Sequence, residues 1–192
     1  MKRSAEISDD GRYRWTLDRQ WADGPCVWWV MLNPSVADHL TDDPTIRRCI
    51  GYAQSWGFGG LRVVNLYPYR ATDPKAMVQS EKNGVNIRGN IKGNERGDDE
   101  LRKVVDAPLV ICAWGNFRHD SRVREFFALA KDKPLWCLRR SKSYAPVHPL
   151  YQPAKLTPVP FHRCEGLDWR DALKRQPALT GFEIEDLCDE DD

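Results

Sequence analysis

Two asparagines follow apolar stretches at matching positions in this sequence. Asn33 ends the run "WWVMLN" and Asn65 ends the run "LRVVN", and a proline follows each within three residues. An asparagine side chain offers both a donor and an acceptor, so it can hold a water molecule or read the polar edge of a base or a sugar. Asparagine also forms turns by hydrogen-bonding its own backbone, so a plain turn explains the same pattern.

His148 has the most constrained setting of the four histidines. It lies in "YAPVHPLY", between two prolines. Prolines fix the backbone and so reduce the entropy lost when a neighbouring side chain is held in place. The histidines and the six cysteines are scattered without the spacing of metal ligands. We therefore expect no metal and no cofactor.

Four apolar runs predict the strands that would position these residues. The runs are Cys26–Leu32, Leu61–Leu66, Leu109–Trp114 and Leu135–Leu138. Helical patterns separate them, which predicts an α/β fold, a three-layer α/β/α sandwich with a mainly parallel four-stranded central sheet. Functional groups in such folds lie beyond the carboxyl ends of the strands. We therefore expect one crevice to be lined by the segments "NPSVAD", "NLYPYR", "GNFRHD" and "RRSKSYAPVHPLY".

The segments around these strands predict the remaining elements. Tyr13–Trp21 alternates roughly and is typical of an edge strand. Asp43 and Pro44 predict the start of a helix that Gly57 ends, so we interpret Asp42 and Asp43 as helix-start residues and not as a catalytic pair. Residues 83–97 contain four glycines and four asparagines, which is typical of a loop or a flexible insert. Further helices are predicted over residues 73–78, 98–105, 120–131 and 169–175.

The charge distribution indicates a polyanionic partner. The formal net charge is +1, but the acidic C-terminal tail, residues 183–192, carries seven acidic side chains and no basic one. Residues 1–182, which we expect to form a single domain, carry 29 basic and 21 acidic side chains. The tail fits a solvated end, or a mimic of nucleic acid that competes for a basic groove.

Basic and aromatic side chains alternate near the predicted strand ends and in the first helix. This mixture is typical of phosphate contacts and base stacking, although a solvated rim has the same composition. The basic residues include Arg47, Arg48, Arg70 and Lys142, and the tyrosines are Tyr67, Tyr69, Tyr144 and Tyr151.

Other common classes lack their signatures in the sequence. No apolar run approaches the length of a membrane helix, and "MKRSAEISDDGR" lacks the apolar core of a signal peptide. We therefore expect a cytoplasmic monomer with no membrane partner. The sequence contains no G-x-S-x-G elbow, no Walker loop and no G-x-G-x-x-G after a strand.

Taken in order, the strand-end segments resemble the motifs of the uracil-DNA glycosylase superfamily. "MLNP" is similar to the motif that ends its first strand, "VVNL" to the segment with its base-reading asparagine, "ICAWG" to its third strand and "VHPLY" to its late H-P-S loop. The pattern also looks like a bacterial family catalogued only as a domain of unknown function. The resemblance covers residues 27–151 and implies a uracil-DNA-glycosylase-like fold.

The resemblance implies a role for individual residues. Asn33 matches the residue that positions the attacking water, Asn65 matches the base-reading asparagine, and His148 matches the histidine that hydrogen-bonds the leaving base. Leu150 or Tyr151 falls where the family inserts a wedge into the helix. Further candidates for base contact are Tyr67 and Met31, and those for the DNA backbone are Arg47, Arg48, Arg70 and Lys142.

Two departures from the family pattern affect the expected substrate. Met31 stands where the family has glycine, and Leu150 replaces the serine of H-P-S. The resemblance implies a monofunctional glycosylase that flips a base of double-stranded DNA, here a modified one such as glucosylated hydroxymethylcytosine of phage DNA, in phage defence or base-excision repair. The alternatives are a deoxyribosyl hydrolase acting on free nucleosides or nucleotides and a non-catalytic DNA-binding module.

Overall fold

The computed structural model describes residues 1–90, 95–117 and 120–174, and these contain seven strands and four α-helices. Two short 3-10 helices cover Lys103–Asp106 and Trp169–Lys174. The strands are β1 Lys2–Ile7, β2 Arg14–Gln20, β3 Cys26–Met31, β4 Gly60–Asn65, β5 Leu109–Cys112, β6 Leu135–Cys137 and β7 Val159–His162. The α-helices are α1 Pro44–Ser55, α2 Pro74–Lys82, α3 Arg96–Arg102 and α4 Asp120–Leu129.

All seven strands belong to one mixed sheet with the order β1-β2-β4-β3-β5-β6-β7. The predicted four-stranded sheet was therefore too small: its strands β4, β3, β5 and β6 form a parallel centre. Strands β1, β2 and β7 add antiparallel pairs on the two sides. The prediction of β2 as an edge strand was also wrong, because β1 pairs along it from Gln20 to Arg14.

Helices cover both faces of the sheet, which confirms the α/β class. Side chains of β3 alternate between the faces, as the pleat of a strand requires. Val27 and Trp29 pack with Ile46 of α1, whereas Trp28 and Val30 pack on the opposite face with Leu101 of α3. Because both faces are buried, the parallel strands are almost continuously apolar.

Helix α1 begins as its sequence predicts. The side chain of Asp43 accepts a hydrogen bond from the backbone N–H of Ile46 at 2.8 Å, and Pro44 occupies the first turn. Asp73 caps α2 in the same way, through the N–H of Lys75 at 2.9 Å. Helix α2 runs to Lys82, four residues beyond its predicted end.

Residues 83–90 form a loop, as predicted for the segment 83–97, and this loop packs against the sheet. Ile87 is 1% exposed, and the hydroxyl of Tyr13 donates to the carbonyl of Asn86 at 2.8 Å. Residues 91–94 lie outside the described residues, as do Arg118, His119, Arg175 and the acidic C-terminal tail. No helix among the described residues is long and apolar enough to cross a membrane.

Candidate functional site

The carboxyl ends of the parallel strands surround a cavity of about 550 Å³, which we call the strand-end cavity. All four predicted strand-end segments contribute to its wall. Strand β3 lies between β4 and β5, so the connections that leave β3 and its neighbours diverge to opposite sides of β3. Such a switch point is where open α/β sheets bind ligands. The predicted segments contribute Asn33, Asn65, Asn116, His148 and Leu150 to the wall.

Asn33 lines the strand-end cavity just beyond β3. Its side-chain N–H₂ group donates to the carbonyl oxygen of Ala71 at 2.7 Å and to that of Pro34 at 3.1 Å. Both amide protons are therefore committed to the backbone. The side-chain oxygen is the group of Asn33 that remains to accept a hydrogen bond from a water molecule.

Asn65 is 4% exposed and ends β4 within the same cavity. Its Oδ1 accepts from the guanidinium Nη2 of Arg14 at 3.5 Å, a long contact. Since a guanidinium can only donate, this contact orients the oxygen toward Arg14 and the amide nitrogen away from it. Among the described residues, that buried nitrogen has no hydrogen-bond partner.

Arg14 is a cavity residue that the sequence did not single out. It is the first residue of β2, is 2% exposed, and donates from Nη1 to the carbonyl of Ala37 at 2.9 Å. Burial lowers the pKa of Arg14 to about 10, with a nearby charge on Asp43 acting in the opposite direction. Arg14 therefore keeps its positive charge at neutral pH.

His148 lines the cavity as a neutral donor. Its Nδ1 accepts from the backbone N–H of Leu150 at 3.3 Å, which places the proton of the neutral ring on Nε2. Burial lowers the pKa of His148 below its ordinary 6.5, and the charge of Asp43 partly opposes that shift. The uncharged ring with an Nε2–H donor is thus the form present at pH 7.

Asp43 combines its helix-capping role with a place in the cavity wall. Its interpretation as a helix-start residue is confirmed, and Asp42 instead pairs with Arg19 at 2.7 Å. Arg14 and Asp43 are the charged residues among the described residues of the wall, with no ion pair between them within 4 Å. The position of Asp43 in the cavity wall was not predicted from the sequence, because helix capping was a sufficient explanation for an aspartate at this position.

The two further candidates for base contact lie in different surroundings. Met31 lines the cavity and is 5% exposed. Tyr67 is not among the residues that line it; it is buried on the face covered by α2, α3 and α4, with Arg122 over its ring at 5.8 Å. Burial raises the pKa of Tyr67 to about 12.

The two candidates for a DNA wedge differ in their exposure to solvent. Leu150 lines the cavity, whereas the next residue, Tyr151, is 91% exposed. Tyr151 also has a φ of 66°, in the left-handed region that a tyrosine rarely adopts. Backbone strain of this kind in a non-glycine residue is found preferentially at functional sites.

The candidates for DNA-backbone contact differ in how far they are already engaged. Arg47, Arg48 and Lys142 form no ion pair within the described part of the chain. Arg47 donates to the backbone carbonyl of Asp42. Arg70 donates to the backbone carbonyls of Gly11 at 3.1 Å and Ser35 at 3.3 Å, and so holds the loop after β3. The described residues contain no group of three His, Cys, Asp or Glu that could hold a metal ion.

A second cavity of about 440 Å³ adjoins the first. The two share Trp114, Asn116 and Phe117 in their walls. Tyr144, which is 75% exposed, and Phe161 complete an aromatic lining on the far side. The two cavities are therefore neighbours, and the strand-end cavity has mainly apolar walls with a few polar groups, as is typical of ligand sites.

The fold and the site define an α/β protein with a cavity at the switch point of its parallel strands. The chain belongs to the family described as "Protein of unknown function (DUF1643)", which matches residues 14–150. That region begins at Arg14, ends at Leu150, and contains all the residues of the strand-end cavity. Comparisons with curated proteins and with solved structures gave no match.

Proposed function

We propose that the protein is a DNA glycosylase that hydrolyses the N-glycosidic bond of a flipped base and leaves an abasic site. The observation that carries this proposal is the presence of Asn33, Asn65 and His148 in one cavity at the strand ends. In the resemblance to the uracil-DNA glycosylase superfamily, these residues hold the water, read the base and hydrogen-bond the leaving base. Their donors and acceptors suit those three tasks.

In this mechanism the bond between the sugar and the base breaks first. Its electron pair leaves with the base, and the sugar becomes an oxocarbenium-like cation. The Nε2–H of His148 donates to the departing base. The free Oδ1 of Asn33 orients a water molecule, and a weak nucleophile is sufficient because the cation is already formed.

Asp43 supplies the negative charge that this reaction needs. A carboxylate in the cavity wall attracts the positive charge that develops on the sugar, and it can take a proton from the attacking water. No metal is needed for these steps, and they assign no lysine as a Schiff-base nucleophile, so we propose a monofunctional enzyme.

A modified base is the substrate that the dimensions favour. The two adjoining cavities, of about 550 and 440 Å³, give room for a base with a bulky substituent. Met31 lines the first of them at the position where the resembling family has glycine. Glucosylated hydroxymethylcytosine of phage DNA is one such base, and phage defence and base-excision repair are the two roles that we propose.

The surface around the cavity suits double-stranded DNA. Tyr151 is an exposed aromatic ring next to the cavity residue Leu150, as a wedge that occupies the gap left by a flipped base would be. Arg47, Arg48 and Lys142 offer cations for the phosphates, whose contacts help offset the few kcal/mol that base flipping costs. Arg70 holds the loop that carries Asn33.

The test is to incubate the purified protein with duplexes that contain uracil and with phage DNA that contains modified cytosine, and to score abasic sites. We expect abasic sites on at least one substrate, and loss of most of the activity in Asn33→Ala and His148→Ala. Circular dichroism of both variants controls for folding. If no substrate yields abasic sites, the enzyme proposal fails; if both variants keep the full rate, the site assignment fails.

One observation favours a second candidate, a hydrolase of free deoxynucleotides. Arg14 places a buried positive charge in the cavity, and a nucleotide phosphate would neutralise it. Such an enzyme needs no DNA surface, so a salt-sensitive affinity for DNA counts against it. A non-catalytic DNA-binding module, in contrast, would bind DNA and leave no abasic product.

A further inference from the structure

Arg14 differs from the other almost fully buried arginines of the described residues. Arg19 pairs with Asp42 at 2.7 Å, and Arg122 pairs with Asp98 at 2.6 Å. Arg14, at 2% exposure, has no carboxylate within 4 Å among the described residues. An unpaired buried charge costs several kcal/mol, so its retention in a cavity wall calls for a compensating ligand.

Two buried donors of the cavity also lack acceptors. The Nε of Arg14 and the amide nitrogen of Asn65 have no hydrogen-bond partner in the described part of the chain. Both residues line the strand-end cavity, and the oxygen of Asn65 is already directed to Arg14. Around Arg14 and Asn65 the described residues therefore leave two buried donors and a positive charge without an acceptor.

We propose that Arg14 and Asn65 form an anion subsite that binds a negatively charged oxygen of the ligand. Arg14 provides the charge, and Asn65, oriented by Arg14, provides a second hydrogen bond. The apolar side chains of Met31 and Trp114 in the same wall favour an anionic group attached to a flat ring over a bare oxyanion.

The subsite also refines the proposed glycosylase reaction, and in that respect it rests on the proposed function. When the glycosidic bond breaks, the base takes the electron pair, and the resulting negative charge spreads from the ring nitrogen onto an exocyclic carbonyl oxygen of the base. Arg14 and Asn65 would stabilise that oxygen until the base gains the proton that Asp43 takes from the water that adds to the sugar. Asp43, the opposite charge of the wall, would stabilise the cationic sugar.

The probes are benzoate, its neutral isostere benzamide, and inorganic phosphate, each titrated by calorimetry into the full chain without DNA. We expect the wild-type protein to bind benzoate at least tenfold more tightly than benzamide. Arg14→Met removes that preference. Asn65→Asp should also remove the preference for benzoate, because the new carboxylate pairs with Arg14. This second variant tests the anion subsite even if Arg14→Met does not fold. The control Arg163→Met, which changes an exposed arginine paired with Asp132, keeps the preference.

The outcomes separate the subsite from the proposed function. A preference for benzoate over phosphate assigns the subsite to a flat anion such as a departing base, and the reverse assigns it to a phosphoryl group. Equal binding of benzoate and benzamide without binding of phosphate, no binding of either anion, or anion binding that survives Arg14→Met overturns the subsite. None of these results depends on abasic-site formation, so each proposal can fail alone.

Discussion

Replacing Asp43 by asparagine separates its two roles. The side chain caps α1 through the N–H of Ile46 at 2.8 Å and lines the strand-end cavity. Asparagine caps a helix about as well as aspartate, so the hydrogen bond is retained and the charge is removed. Asp73→Asn is the matched control, because Asp73 caps α2 through the N–H of Lys75 and is not among the residues that line the cavity.

The expected magnitudes follow from these interactions. Removal of the charge from a helix N-terminus costs about 0.3–1 kcal/mol of stability, and this applies equally to Asp43→Asn and Asp73→Asn. In the proposed mechanism, Asp43 also faces the charge that develops on the sugar. One preorganised electrostatic interaction of this kind contributes about 3 kcal/mol to the transition state, so Asp43→Asn should slow the reaction by about 100-fold or more.

Single-turnover rates of abasic-site formation and thermal unfolding measure the two effects on the same proteins. We expect similar small decreases in stability in both variants, and a large decrease in rate in Asp43→Asn alone. If Asp43→Asn keeps the wild-type rate, the carboxylate takes no part in the reaction. If Asp73→Asn slows the reaction as much, the effect arises from helix capping and the catalytic role of Asp43 is refuted.

Three further predictions concern the ring of His148, the wedge and the surface charge. The lowered pKa of His148 keeps its ring neutral at pH 7, so the rate should be constant from about pH 6.5 upward. The rate should fall as acid protonates the ring below about pH 6.5, because a proton on Nδ1 breaks the hydrogen bond from the N–H of Leu150 that holds the ring in place; an acid limb centred above 6.5 contradicts this. Tyr151→Gly should leave stability unchanged or higher, because glycine adopts the left-handed backbone without strain. The same variant should slow the reaction at least tenfold on duplex DNA but not on single-stranded DNA, which needs no wedge. The control Tyr151→Phe should keep the rate. The third prediction is the triple replacement of Arg47, Arg48 and Lys142 by alanine, with DNA affinity measured by fluorescence anisotropy at several salt concentrations. The slope of log affinity against log salt should decrease in magnitude by about one for each phosphate that these side chains bind. An unchanged slope would mean that DNA binds to another surface.

The parallel centre of the sheet could be predicted from the sequence because its strands are buried on both faces. Cys26 to Met31 is apolar at every position, and a strand so placed needs no polar face. The same property located the cavity, since carboxyl ends of parallel strands share one edge of the sheet. The prediction that Asn33, Asn65 and His148 face one crevice agrees with the structure, in which all three line the strand-end cavity.

The outer strands and two cavity residues could not be predicted for physical reasons. Strand β1, "KRSAEI", is partly exposed and polar, and β7 is four residues long and contains Pro160, so neither has the apolar pattern of a strand. Arg14 looks like a solvent-facing residue of an edge strand, but it is buried and donates to the carbonyl of Ala37 in the loop after β3. Only tertiary contacts reveal such burial.

Glycosylase activity itself is tested by the release of free base from modified phage DNA, quantified by mass spectrometry beside the abasic sites in the same sample. We predict equal amounts of free base and abasic site, and neither product with Asn33→Ala or His148→Ala. Free base from isolated deoxynucleotides but not from DNA, or no free base from any substrate, would contradict the proposed function.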